Sequence, residues 1–106
     1  MKIISGSSNP NLAKRISKAI GLELLNTKID NFDDGEIKVQ VFDNISKEVI
    51  IVQSTSTPVN NHLMELLLLA DTAKRAGAYN IVAIMPYFGY SRQDRLLINM
   101  VLFQRV

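Results

Sequence analysis

The sequence predicts an α/β fold: one domain built on a single, doubly wound, mostly parallel sheet with helices on its faces. Three observations predict it. Apolar periodicity switches between two and 3.6 residues in the order strand, helix, strand, long helix, strand, the alternation of βαβ units. Two apolar runs, Glu48-Val49-Ile50-Ile51-Val52-Gln53 and Asn80-Ile81-Val82-Ala83-Ile84-Met85-Pro86, are nearly continuous, as in strands covered on both faces. The chain has 106 residues, 47% of them apolar and 21% charged, which suits one small core and excludes a disordered chain.

Lys2-Ile3-Ile4-Ser5 reads as a strand, stopped by the turn Gly6-Ser7-Ser8-Asn9. Asn9 followed by Pro10 is a helix N-cap with proline at the first helical position. Leu12, Ile16, Ala19 and Ile20 then fall on one helical face, and Gly21 supplies the stop. Residues 22–29 read as a second strand, followed by the acidic loop Asn31-Phe32-Asp33-Asp34-Gly35-Glu36. Ile37, Val39 and Val41 alternate with polar residues, so that strand has one wet face. After the run 48–53, the polar loop 54–60 leads into a long helix over residues 61–76, ended by Gly77. Residues 63–70 are apolar nearly all round, so this helix is expected to be buried against the sheet or a partner subunit. Lys74 and Arg75 in its last turn suit the helix dipole. No internal repeat or low-complexity segment interrupts the pattern.

Composition excludes several function classes. Twelve Lys and Arg against ten Asp and Glu leave +2, too little for an electrostatic hold on nucleic acid or a membrane surface. Without cysteine there is no disulfide framework, thiolate metal site or thiol nucleophile, which fits a reducing cytoplasm. The N-terminus lacks the apolar run of a signal peptide. The most apolar stretch, residues 63–70, carries Glu65 and is far shorter than the roughly 20 residues that span a bilayer. The expectation is a soluble cytoplasmic domain.

In such sheets ligands bind beyond the carboxyl ends of the strands, which leaves four loops: 6–9, 32–36, 54–60 and 87–95. No GxGxxG or GxxxxGK[ST] pattern occurs, so the first loop reads as a tight turn with a helix cap. The second sets the Phe32 ring beside carboxylates, the pairing a purine needs for stacking and for its exocyclic amine. By composition alone, an acidic turn before a strand is the more direct reading of the same residues. The third could hold an anion or satisfy backbone groups. In the fourth, Arg92 and Arg95 flank Gln93 and Asp94; paired guanidiniums suit phosphate, and a salt bridge to Asp94 is the alternative. Tyr87, Phe88 and Tyr90 fit stacking or packing, and His62, alone, reads as a capping or surface residue and not a metal ligand.

Taken in order, these loops resemble ribose-phosphate pyrophosphokinase (phosphoribosyl pyrophosphate synthetase). The resemblance rests on Gly6-Ser7-Ser8-Asn9 with Leu12-Ala13, Phe32-Asp33-Asp34-Gly35-Glu36, and the run from Gln53 through Asn60. Leu63-Met64-Glu65-Leu66 and Pro86-Tyr87-Phe88-Gly89-Tyr90-Ser91-Arg92-Gln93-Asp94-Arg95 complete it. It covers residues 1–95, about the first third of a complete family member. It implies a phosphoribosyltransferase-like amino-terminal domain and transfer of diphosphate from MgATP to ribose 5-phosphate. Carried over by position, Phe32 stacks on adenine, Asp34 and Glu36 accept from the base, Gly35 allows close approach, and Arg92 and Gln93 meet the nucleotide. In the family that ATP site is shared between neighbouring subunits, which implies a homo-oligomer or a complementary synthetase subunit.

After Arg95 the family continues with a basic stretch, whereas here residues 96–103 are apolar and the chain ends at Val106. The family's metal-side histidine, flexible catalytic loop and ribose 5-phosphate loop have no counterpart here. The expectation is one amino-terminal domain over residues 1–106, departing from the family pattern after about residue 95, inactive alone and with weak MgATP binding. No catalytic or metal-ligating residue is assigned. The alternative is a non-catalytic module that associates with, and regulates, a full-length synthetase. Self-association is expected through the long helix and the apolar tail.

Overall fold

The computed structural model of the protein describes residues 1–87. The expectations for Phe88, Tyr90, Arg92, Gln93, Arg95 and the apolar tail 96–103 lie outside these residues. The elements run β1 (Lys2–Ser5), α1 (Pro10–Ile20), β2 (Thr27–Asn31), β3 (Ile37–Val41), β4 (Glu48–Val52), α2 (Val59–Arg75) and β5 (Asn80–Ile84). The α/β class with a parallel sheet is as the sequence predicts.

The sheet has the order β1-β4-β5, all parallel, with Ile3 beside Ile50 and Ile51 beside Ala83. Alternation along the strands feeds two cores. Ile4, Val49, Ile51, Ile81 and Ala83 point to the face where Leu66, Leu69 and Ala73 of α2 are buried. Ile3 and Val52 point to the other face, against Ala13, Leu12 and Ile16 of α1. Continuous apolar runs were needed because both faces are covered, each buried Ile or Leu contributing about 2 kcal/mol.

Residues 22–29 correct the expected second strand. Only Leu24 bridges to Ile3, in parallel, with Ile3 N–H donating to Glu23 C=O (2.8 Å) and Leu25 N–H to Ile3 C=O (2.8 Å). The chain then leaves β1, because Asn26 is held elsewhere: its N–H donates to Asp43 Oδ2 (2.7 Å) and its C=O accepts from Phe42 N–H (2.9 Å). Thr27–Asn31 therefore starts a hairpin with β3, antiparallel and separate from the main sheet, whose Ile29, Val39 and Val41 pack on the α2 core.

Each helix is stopped by local chemistry. Asn9 Oδ1 accepts from Leu12 N–H (3.1 Å), and Gly21 closes α1 with its N–H on Ser17 C=O (2.9 Å). Ala19 and Ile20, expected on the buried face, are exposed. The residues packed on this face, Ile3 and Val52 with the partly buried Leu22, Leu24, Ile50 and Ile84, cluster with Ala13, Leu12 and Ile16 and not with the last turn. In α2, Ala78 N–H reaches back to Ala73 C=O (3.0 Å) and wraps the C-terminus. Only the face with Glu65, Leu66, Leu69 and Ala73 is covered; Met64 and Leu67 are exposed, so α2 is not buried all round by the described residues. No helix among the described residues is long and apolar enough to cross a membrane.

Candidate functional site

The strand order reverses at β1, with Leu24 flanking it on one side and β4 on the other, both parallel to it. The carboxyl ends of β1 and β4 therefore open the crevice where ligands of such sheets bind. The turn after β1 and the loop after β4 meet there. Gly6 N–H donates to Val52 C=O (2.9 Å), and a Cβ on Gly6 would stand 2.1 Å from Gln53 Oε1. Only glycine leaves room for the fully buried Gln53 side chain.

Gln53 then organises the crevice floor. Its Oε1 accepts from Ser8 N–H (3.1 Å), and its Nε2 donates to His62 C=O (3.2 Å) and Glu65 Oε1 (3.1 Å). Glu65, 4% exposed, also accepts from Ser7 N–H (2.6 Å) and Ser7 Oγ (2.8 Å). Ser8 Oγ accepts from Ser54 N–H (2.8 Å), and His62 Nδ1 lies 2.8 Å from Ser56 C=O, which fits an Nδ1–H donor. The donors a phosphate would need in the first turn are already taken by protein acceptors, one of them a carboxylate. The turn is a tight turn with a helix cap, as its lack of a phosphate motif suggested. Loop 54–60 likewise satisfies backbone groups, and Thr55 N–H donates to Tyr87 C=O (2.9 Å).

The sequence reading left Gln53 and Glu65 out of the site. The available signal was a single carboxylate in an otherwise apolar helical run, on the same face as Leu66 and Leu69.

The other candidates gather at the hairpin tip. Phe32 N–H donates to Glu36 C=O (2.6 Å) and Phe32 C=O accepts from Gly35 N–H (2.9 Å), leaving Asp33-Asp34-Gly35 as a three-residue loop. Such loops end on a residue with positive φ, and Gly35 has φ +91°. Glu36 N–H donates to Asp34 Oδ1 (3.0 Å), tying the second carboxylate to the turn. Phe32, half exposed, shares with Asp33, Asp34 and Glu36 an open depression of about 390 Å³. So Phe32, Asp34, Gly35 and Glu36 come together; Arg92 and Gln93 are outside the described residues.

Register decides which way the hairpin tip faces. Ile29, Val39 and Val41 point into the core, so Lys28, Asp30 and Phe32 on one strand, and Glu36 and Lys38 on the other, share the outer face. The inner side holds a polar cavity of about 340 Å³, lined by Ser7, Asn31, Asn61, His62 and Glu65 among others. Phe32 does not line it. Among the described residues no group of three or more His, Cys, Asp and Glu could hold a metal ion.

The model of the N-terminal domain of ribose phosphate pyrophosphokinase matches residues 1–100. The chain is 51% identical over 96 residues to a ribose-phosphate pyrophosphokinase of Chlorobaculum tepidum, covering 90% of this chain and 29% of that protein. It is 46% identical over 101 residues to that of Helicobacter hepaticus, covering 94% and 33%. The crystal structure of phosphoribosylpyrophosphate synthetase from Mycobacterium smegmatis superposes with a TM-score of 0.80 at 32% identity, over 88% of this chain and 32% of that one. The chain thus spans about a third, or a little less, of the length of the relatives it matches.

Proposed function

We propose that this chain, which belongs to the family of the N-terminal domain of ribose phosphate pyrophosphokinase, supplies the adenine-binding half of an ATP site completed by a neighbouring subunit. The observation that carries this reading is the half-exposed Phe32 ring on the outer face of the hairpin, with Asp34 and Glu36 beside it. A ring there stacks on a base, and the carboxylates accept from its exocyclic amine. Because that face turns away from the chain's own polar cavity, the rest of the nucleotide is met by groups beyond the described residues. Arg92 and Gln93 are assigned to it by the resemblance alone.

The reaction of the completed site is transfer of diphosphate from MgATP to ribose 5-phosphate. The C1 hydroxyl oxygen attacks the β-phosphorus, the bond from that phosphorus to the α,β-bridging oxygen breaks, AMP leaves, and the hydroxyl proton passes to base or solvent. Such transfers depend on positioning and charge neutralisation more than on covalent work by the protein. Mg²⁺ enters as part of the substrate. The resembling family's metal-side histidine and ribose 5-phosphate loop have no counterpart in the sequence, so the 106-residue chain alone is proposed to be inactive.

Saturation-transfer NMR of adenosine and ATP with the purified chain tests the platform. The adenine H2 and H8 signals should receive saturation from the chain, and Phe32→Ala should remove most of it. Equal transfer to the variant would overturn the assignment. Formation of AMP from ATP that depends on ribose 5-phosphate, by chain free of host enzyme, would overturn the proposed inactivity.

A further inference from the structure

The outer face of the hairpin carries one cation that has an aromatic partner instead of an acidic one. Asp30 and Lys38 are register partners across the strands, an arrangement that favours an ion pair between them. Asp30 Oδ2 is instead 3.3 Å from Lys28 Nζ on its own strand. Lys38 Nζ stands 5.8 Å from the centroid of the Phe32 ring, inside the roughly 6 Å over which an ammonium is attracted to the negative face of a ring. The contact is diagonal: the residue opposite Phe32 is Glu36, and Lys38 is two further along β3. Long side chains bridge that spacing.

We propose that Lys38 is a positioning residue of the adenine platform, a clamp that covers one face of Phe32 and leaves a single face to the base. This rests on the reading of the hairpin tip as an adenine platform. A half-exposed phenyl ring next to a glycine turn has rotational freedom that stacking must remove. The ammonium removes part of it beforehand, so less is lost when a base arrives. Lys38 also offsets part of the charge of Asp33, Asp34 and Glu36, beside which a polyanionic nucleotide has to settle.

Two measurements test the clamp, and they fail separately. In the ligand-free chain, the Lys38 ε-methylene protons should be shifted upfield by the ring current, and Phe32→Leu should return them to their ordinary position. An unshifted signal in the parent chain would overturn the clamp whatever the tip binds. The chain contains no tryptophan, so Phe32→Trp gives a single tryptophan whose emission, excited at wavelengths the three tyrosines do not absorb, adenosine should quench. Adding Lys38→Gln to that background should weaken the apparent adenosine affinity about threefold, and Lys38→Arg should restore it. Equal affinities for all three overturn the clamp. No quenching at millimolar adenosine, with the ring-current shift intact, overturns the platform reading and with it the role given to Lys38.

Discussion

Glu65 is a carboxylate withdrawn from water with no cation beside it in the described fold. It persists because Ser7 N–H, Ser7 Oγ–H and Gln53 Nε2–H point at its two oxygens. Hydrogen bonds to an ionised acceptor are the strong kind, and removing the acceptor strands buried donors. Glu65→Ala should therefore lower unfolding stability by about 3 kcal/mol. Glu65→Gln should cost only about 1, because an amide oxygen still accepts and its NH₂ can donate to the Ser7 hydroxyl oxygen. Urea titration of both variants checks this; equal losses would mean that the amide replaces none of the carboxylate's hydrogen bonds, and would overturn the argument. Gly6 and Gln53 form a second pair. Gly6→Ala drives a methyl into the Gln53 amide, at an expected loss of about 3 kcal/mol. If that clash is the cause, adding Gln53→Ser should make the double loss smaller than the sum of the single losses by about 1 kcal/mol or more. Strict additivity would refute it.

Elements were legible where their signals are local. The Asn9-Pro10 start of α1, its Gly21 stop, and the strands of the parallel sheet are properties of a few neighbouring residues. Asn9→Ala removes the acceptor for Leu12 N–H and should cost about 1 kcal/mol in thermal unfolding. A loss below about 0.3 kcal/mol would show that water replaces the cap. The hairpin was legible only in halves. Alternation in residues 37–41 correctly gave β3 a wet face. Nothing within residues 22–29 shows that Asn26 pairs with Phe42 and Asp43 instead of continuing beside β1. That choice is made by partners 16 and 17 residues away, and strand pairing at such separation leaves little trace in local pattern. The exposed last turn of α1 has the same origin: periodicity finds the apolar face, but the residues that pack against it decide how much of it is buried.

At the scale of the molecule, the grouping of Phe32, Asp34, Gly35 and Glu36 follows from their being contiguous, while the direction the hairpin tip faces was not legible in the sequence. A one-residue slip in the β2–β3 register would turn Phe32 towards the polar cavity, so the direction of the platform is fixed by the packing of Ile29, Val39 and Val41. That direction limits what one copy of the chain can do. On the proposed reading, a base on Phe32 would gain stacking of about 1–3 kcal/mol and hydrogen bonds to two carboxylates. Against this stands an association cost of at least about 4 kcal/mol, with three acidic side chains beside the phosphates and Lys38 alone as a described cation over the ring. We therefore expect the isolated chain to bind ATP in the high-micromolar range or more weakly, about −5 kcal/mol or less favourable. Adenosine should bind about as well, because the phosphates gain little on this face. Calorimetry at a chain concentration where sedimentation shows a monomer checks both statements. A sub-micromolar ATP constant for that monomer would mean that one chain meets base and phosphates together, and would overturn the proposed division of the site between subunits.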